Sequence, residues 1–496
     1  MSKIRSLYSS ITPLKALATF ITLAGIFLVF YIYREDERND NFSREHCRSI
    51  TKDELKKTYN NKLGMLKFKG NWTLRVLGPD LAYDDEIHFY LIDKENNWGK
   101  KTTKKDLFKR LFINNQGELT KKKTDKKSIY LSIDIPDLKH GYEYRIMMTS
   151  GQFNPKFYHK YQSYLDPSSL TFSTPSILRK LKKGIHKNKN SIYWDFKEKL
   201  NFDALSKLSN CENMVILEED LYFLAQSYWN KENNNTLPPH KTYSFLANSD
   251  VFKRIRNLGF NRIKPLPVQD FANDKSELLN WRRRYSISKN FYGVNPYLGS
   301  PDEFRQMVNS ASKNKVGFVS DFVLAHFSID DDFLGIRSWL YKPFISLFGS
   351  SKTVWETLNF NFERKPVRLF LEDSFLSFHK KFGLIGSRLD SISGFGESEI
   401  LNRPDGEIFL KDLMSQIKDK IPYLYLTFET FKFRDLINTC EGSFDANICG
   451  ADTINNFSLY DWIVRNIVKD LTEIDLAGFS ELIKNELLRR PYQLNY

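Results

Sequence analysis

Cysteine is scarce in this chain, with 4 in 496 residues and no CxxC pair. That excludes a small disulfide scaffold and argues against a zinc ribbon. Histidine is nearly as scarce, at 8 residues, and HExxH does not occur. The phosphate-cradling pattern GxxxxGK[ST] is missing as well, so there is no P-loop. No spacing of His, Cys, Asp or Glu argues for a metal, and no cofactor is implied. Acid is short relative to base, giving a net charge of +14. Nucleic-acid binding is the reflex reading of such a balance. The densest basic run, residues 179–189, holds six Lys/Arg and no acid. No aromatics interleave with those charges, so the run reads as a solvated linker and nucleic acid is not expected as a partner. What the chain has in quantity is apolar surface: 41% hydrophobic residues, with 40 Phe and 25 Tyr. That excludes a wholly disordered polymer and is enough for at least one large core.

Residues 16–33 (ALATFITLAGIFLVFYIY) carry no charge. Eighteen residues reach the lower end of the range that spans a bilayer as a helix. Tyr31 and Tyr33 close the run before Arg34, Glu35 and Asp36. The reading is a signal anchor at 16–33 after a tail at 1–15 and before a polar stalk at 34–64. It implies a single-pass membrane protein, type II if the remainder lies in a lumen or outside, with a cytoplasmic placement as the alternative. In a lumen, Asn41, Asn71, Asn234 and Asn456 would be glycosylation acceptors, and Cys440 and Cys449 are close enough to pair.

From 65 to 170 short alternating runs predict strands, among them those around Trp72–Leu77, Ile87–Ile92 and Tyr142–Met148. Turn signals separate them, which suggests a small β-sandwich. Residues 171–212 read as a basic connector. From 213 to 496 short strands alternate with helices. Met214 to Leu217 is strand-like. Ser249 is placed to cap a helix whose inner face is Val251, Phe252, Ile255 and Leu258, with Gly259 closing it. Asn261 to Leu266 reads as the next strand. Ser300, Pro301 and Glu303 form a capping box with proline at the first helical position, and Phe304, Met307, Val308 and Ala311 follow at helical spacing. Further strands are expected at 316–323, 384–389 and 423–428. Alternating β and α over this length predicts a parallel sheet covered by helices, open or closed into a barrel.

Charged residues sit at three of those strand ends: Asp321 and His326, then Arg388 and Asp390, then Glu429. In a β/α barrel the C-terminal strand ends build the active site. Glycoside chemistry uses a carboxylate nucleophile and a carboxyl acid/base, and Asp390 with Glu429 supplies such a pair. Arg388 lies two residues before Asp390, so on a strand both side chains share a face. A guanidinium there would keep the aspartate ionised.

Order and context add a resemblance. Asp321 is followed five residues later by His326, as in the first conserved region of glycoside hydrolase family 13, the α-amylase superfamily. The run from Gly386 to Ile392 is similar to the second region, and Leu426 to Thr430 to the third. The segments Leu258–Phe271 and Leu298–Phe304 also resemble that superfamily, and within it Ser191–Asp195 and Trp355–Phe395 resemble 1,4-α-glucan branching enzymes. The resemblance implies a (β/α)8 TIM-type barrel preceded by a carbohydrate-binding module of family 48. It implies Asp390 as nucleophile, Glu429 as acid/base, and Asp321, His326 and Arg388 as substrate-binding residues. The substrate would be an α-glucan such as amylose, amylopectin or glycogen, and α-1,4 cleavage with α-1,6 transfer would serve starch or glycogen metabolism. Ala325, Ser387, Leu389 and Thr430 depart from the family pattern, and its fourth region, with strands seven and eight, has no counterpart before Tyr496. A catalytically inactive glucan-binding or scaffold protein is therefore the alternative to a transferase.

Overall fold

The computed structural model describes residues 51–56, 61–68, 71–77, 86–92, 130–135, 139–149, 162–183 except 167, 190–209, 214–269 except 234, 285, 291–328, 353–393 except 354, 400–430 except 404, 453–455 and 494–495. The chain divides into two compact units, residues 46–450 and the combination of 1–45 with 451–496.

The alternating runs of the larger unit form β1 (Gly64–Phe68), β2 (Asn71–Leu77), β3 (Glu86–Ile92), β4 (Tyr130–Ile135), β5 (Glu143–Thr149), β6 (Gln162–Tyr164), β7 (Thr171–Phe172) and β8 (Ser191–Ile192). They build two antiparallel sheets. One has the order β1–β2–β4, the other β3–β5–β8–β7 with β6 on β5. The Trp72 ring in the first sheet meets Tyr193, next to β8, edge to face at 4.8 Å. β7 and β8 lie within the stretch that reads as a connector. Their residues Thr171, Phe172, Ser191 and Ile192 are buried, so the second sheet runs further along the chain than alternation indicates.

Beyond residue 213 come β9 (Ile216–Glu219), α1 (Leu221–Glu232), α2 (Thr242–Asn248), α3 (Val251–Asn257), β10 (Arg262–Pro265), α4 (Pro301–Lys313), β11 (Gly317–Val323), β12 (His326–Ser328), β13 (Thr357–Asn359), α5 (Lys365–Phe382), β14 (Gly386–Ser393), α6 (Gly406–Lys420) and β15 (Tyr425–Thr430). Strands β9, β10, β11, β14 and β15 pair in that order, all parallel. Each new strand adds on the same side of the last. A doubly wound open sheet reverses at a switch point, whereas a barrel advances in one direction. The strand order therefore decides what periodicity left open, and the architecture is TIM-type. In the smaller unit, β16 (Thr453–Asn455) and β17 (Leu494–Asn495) pair in parallel.

Local rules account for the helices that hold this sheet. Ser300 and Glu303 cap α4 reciprocally, with Pro301 in its first turn, and Phe304, Met307, Val308 and Ala311 are buried beneath it. Ser249 does not cap α3. Its N–H closes α2 on Phe245, its Oγ donates to Leu246 O, and Asp250 occupies the cap position. α5 ends at Gly383, with φ +69°, where a Cβ would lie 2.9 Å from both Leu200 and Leu205. Its aromatic face meets β11, where Phe322 touches Phe375, Phe378 and His379 at 5.2, 5.5 and 5.6 Å. Ser320 shares that face, and its Oγ bridges His379 Nε2 at 2.7 Å and Ser387 Oγ at 2.8 Å. Ser387, one of the departures from the family pattern, thus faces the helix layer and not the strand-end site. Burial drops the His379 imidazole to about 3, so this network is uncharged at neutral pH.

The membrane placement read from residues 16–33 is corrected here. No helix among the described residues is long and apolar enough to cross a bilayer. The longest, α5 with 18 residues, carries lysines, arginine, glutamate and aspartate and covers the sheet with its apolar side. The run at 16–33 lies outside the described residues, as do Cys440, Cys449, Asn41, Asn234 and Asn456. An uncharged run of 18 residues reaches only the lower end of the length range for a span, and length by itself is a weak ground for a membrane placement.

Candidate active site

The site grows from strand register. β11 and β14 pair with Asp321 directly opposite Arg388. Their intervening neighbours Ser320, Phe322, Ser387 and Leu389 occupy the helix-facing side, so alternation turns Asp321, Arg388 and Asp390 to the other face. β14 pairs with β15 in step as far as Leu389 opposite Phe428, and then the register slips before Ser393 meets Thr430. Ser391 sits in this bulge with φ +55°. A left-handed conformation costs a non-glycine residue about 1–2 kcal/mol. It turns the Ser391 N–H toward Glu429, donating to Oε2 at 3.0 Å. His326 opens β12 just past the end of β11, opposite Asn359 of β13.

All five residues expected from the sequence come together around one guanidinium. Arg388 Nη1 donates to both oxygens of Asp321, at 2.7 and 2.9 Å, and to Asp390 Oδ1 at 3.0 Å. Its Nη2 lies 2.5 Å from Glu429 Oε1. His326 Nε2 is 3.5 Å from Asp390 Oδ2, and Ser391 Oγ donates to the same oxygen at 3.3 Å. Asp321, His326, Arg388 and Asp390 are buried, and the Glu429 side chain is 16% exposed. Among the described residues, buried His326 Nδ1 and Arg388 Nε make no hydrogen bond. His326 Nδ1 is a donor or an acceptor according to its tautomer, and Arg388 Nε is a donor.

Three residues of the cluster escaped sequence reasoning. Tyr285 donates to Asp321 Oδ2 at 2.9 Å, with its ring 5.9 Å from the Arg388 guanidinium carbon. Lys264, on β10, reaches Asp321 Oδ2 at 3.8 Å and Glu218 Oε2, on β9, at 2.9 Å. Lys264 lies in the strand expected at 261–266, and its burial, which calls for a counter-charge, shows only in the structure. Glu218 lies two residues before Asp220, which caps α1 by accepting from Tyr222 N and Phe223 N.

The two carboxyls at the ends of β14 and β15 are pulled apart electrostatically. Burial pushes Asp390 up, but the His326 hydrogen bond and the Arg388 charge reverse this and hold it well below the usual carboxylate range. Burial and then the negative charge of Asp390 push Glu429 up to about 8, against the opposing pull of Arg388. The cluster therefore holds one ionised and one protonated carboxyl at neutral pH, the division that acid–base glycoside chemistry requires.

Arg388 is the principal counter-charge for three acids. Arg388→Met is expected to destabilise the chain by about 3–5 kcal/mol, the cost of stranding buried charges. Urea denaturation at neutral pH measures it, and a loss below about 1 kcal/mol would show that the acids simply protonate in its place.

No family model matches the chain. Among curated proteins, it is 33% identical over 168 residues to the 1,4-α-glucan branching enzyme GlgB of Prochlorococcus marinus strain NATL1A, covering 34% of this chain and 21% of that one. It is 24% identical over 308 residues to the branching enzyme GlgB 2 of Clostridium perfringens strain SM101, covering 61% of this chain and 40% of that one. The matched stretch thus spans well under half the length of these relatives. Among solved structures, a crystal structure assigned to an α-amylase of Salmonella typhimurium superposes with a TM-score of 0.53 at 14% identity, covering 88% of this chain and 61% of that one. At that identity the match shows the fold. The likeness read from the motifs is borne out: over part of its length the chain is similar to branching enzymes, and its fold is similar to that of an α-amylase.

Proposed function

We propose that the chain is a glucanyl transferase of the 1,4-α-glucan branching type, working by a retaining double displacement. The observation that carries this reading is the pair Asp390 and Glu429 held by one guanidinium, one carboxyl ionised and one protonated. An inverting enzyme separates its carboxyls by roughly 6.5–9.5 Å to admit a water, whereas a retaining one keeps them near 5–5.5 Å. Asp390 and Glu429 are held by the two terminal nitrogens of one guanidinium, a close placement that supports the retaining geometry.

In the first step a carboxylate oxygen of Asp390 attacks the anomeric carbon of an α-1,4-linked glucosyl unit. The bond to the 4-oxygen breaks as Glu429 donates its proton to that oxygen, leaving a glucanyl ester on Asp390. In the second step Glu429, now a carboxylate, takes the proton of a glucan 6-hydroxyl. That oxygen displaces Asp390, and an α-1,6 branch results. Asp321, His326 and Arg388 bind the sugar at the reacting subsite, and the antiparallel sheets before the barrel act as a glucan-binding module of the family 48 type. The acceptor decides between branching and hydrolysis, since water in place of the 6-hydroxyl gives a reducing end.

The test is incubation of the full chain with linear amylose, counting α-1,6 linkages and new reducing ends. New branches with the parent chain, and none with Asp390→Asn, are expected. Reducing ends without branches would make the chain a hydrolase. Neither product from folded protein that is retained on a glucan column would leave a binding protein in its place.

A further inference from the structure

Every residue of β10 is buried, Lys264 included. A lysine in such a strand must meet counter-charge or lose its proton. Strand register supplies the first partner, because Lys264 lies directly opposite Glu218. Their contact is 2.9 Å. On its other side Lys264 Nζ stands 3.8 Å from Asp321 Oδ2. Charges therefore alternate along consecutive strand ends: Glu218, Lys264, Asp321, Arg388, and then Asp390 with Glu429.

The two acids that flank Lys264 are not equivalent. The Glu218 side chain is 53% exposed, so water solvates it with or without a partner. The Asp321 side chain is 0% exposed, and its charge depends on the protein. The groups facing it are Lys264 from β10, the Tyr285 hydroxyl, and Arg388 and Asp390 from β14. Glu429 and His326 lie beyond Arg388 and Asp390, and Glu218 lies behind Lys264. Among the described residues, the helix layer behind β11 presents neutral His379, bonded to Ser320. Arg388 is shared among three acids, which leaves Lys264 as the cation whose remaining partner is solvated.

We infer that Lys264 is a positioning residue that keeps buried Asp321 ionised, so that Asp321 grips Arg388 with both oxygens and orients it toward Asp390 and Glu429. Burial pushes the Asp321 carboxyl up, and the Arg388 and Lys264 charges oppose it, in that order, without cancelling it, so the group stays above its ordinary value even with Lys264 in place. Without Lys264, Asp321 takes up a proton at a higher pH. A protonated acid no longer draws the guanidinium with two oxygens, and its alignment under the reacting pair is lost. The consequence for turnover rests on the transferase reading above, while the charge on Asp321 does not.

The experiment follows Asp321 directly. The full chain is labelled with carboxyl-13C aspartate, and the Asp321 resonance is assigned by its disappearance in Asp321→Asn. In Lys264→Met the Asp321 midpoint is expected to rise by about one pH unit or more, a tenfold change in proton affinity. Lys264→Arg restores it, and Glu218→Gln leaves it in place. On amylose, the acidic limb of kcat/KM for Lys264→Met moves up by the same amount. An unchanged midpoint in folded Lys264→Met overturns the inference. So does a rise that Lys264→Arg fails to restore, which would mean general loosening. If Lys264→Met does not fold, Lys264→Gln carries the same expectation. A parent chain inactive on every glucan would sink the transferase reading and leave the titration to decide Lys264.

Discussion

Asp390→Asn is expected to reduce turnover on amylose by about 10³-fold or more, with the fold intact. Removing a nucleophile from a covalent mechanism leaves only the catalysis that binding and the remaining groups provide. An amide is isosteric with the carboxylate and still offers an oxygen to Arg388 Nη1, while Nη1 keeps Asp321 and Nη2 keeps Glu429. Loss of stability is therefore small next to loss of rate, and circular dichroism with urea denaturation separates the two. The covalent ester gives a second readout. Mass spectrometry of the parent chain quenched with a maltosyl fluoride is expected to show a glucanyl adduct on the peptide that contains Asp390, absent from the variant. A variant that keeps more than about a tenth of the parent rate would remove Asp390 from the reacting position.

Glu429→Gln carries the second large effect, and pH gives it a signature. The parent acid must be protonated in the first step, and burial with the Asp390 charge pushes Glu429 up to about 8. Protonated Glu429 is the working form, so the basic limb of kcat/KM begins near that value and falls about tenfold per unit above it. Asp390, held well below the usual carboxylate range, stays ionised across this window and does not limit it. Glu429→Gln is expected to lose about 10²–10⁴-fold on amylose and to lose the basic limb with it. A maltosyl fluoride needs no proton on its leaving group, so the first step with this donor is expected to be far less affected. A basic limb that survives in the variant would assign that ionisation to another group.

Much of the site was legible along the chain because its signals are local. Arg388 and Asp390 are two apart on a strand, and a two-residue period puts them on one face whatever surrounds them. Asp321 lies two residues before the end of β11 and His326 opens β12, so chain connectivity alone puts them in neighbouring strands. The capping box at Ser300 was legible for the same reason. Ser249 was misread because two adjacent helices compete for one residue, and its hydroxyl and amide both serve α2. Lys264 and Glu218 stayed hidden because each looks ordinary in its own segment. Lys264 is 57 residues before Asp321 in the numbering, and only sheet register brings them to 3.8 Å.

By itself the sequence determined the alternation of strands and helices, the pairing of Arg388 with Asp390, and the likeness to branching enzymes, all of which depend on residues close together in the chain. The tertiary structure decided three things that no local pattern encodes. It ordered the strands in one direction, which makes the sheet TIM-type. It bent the end of β14 at Ser391, so that a backbone N–H reaches Glu429. And it set the charge states, because a carboxyl's proton affinity depends on burial and on neighbouring charges, and these come from strands that meet only when the chain is folded.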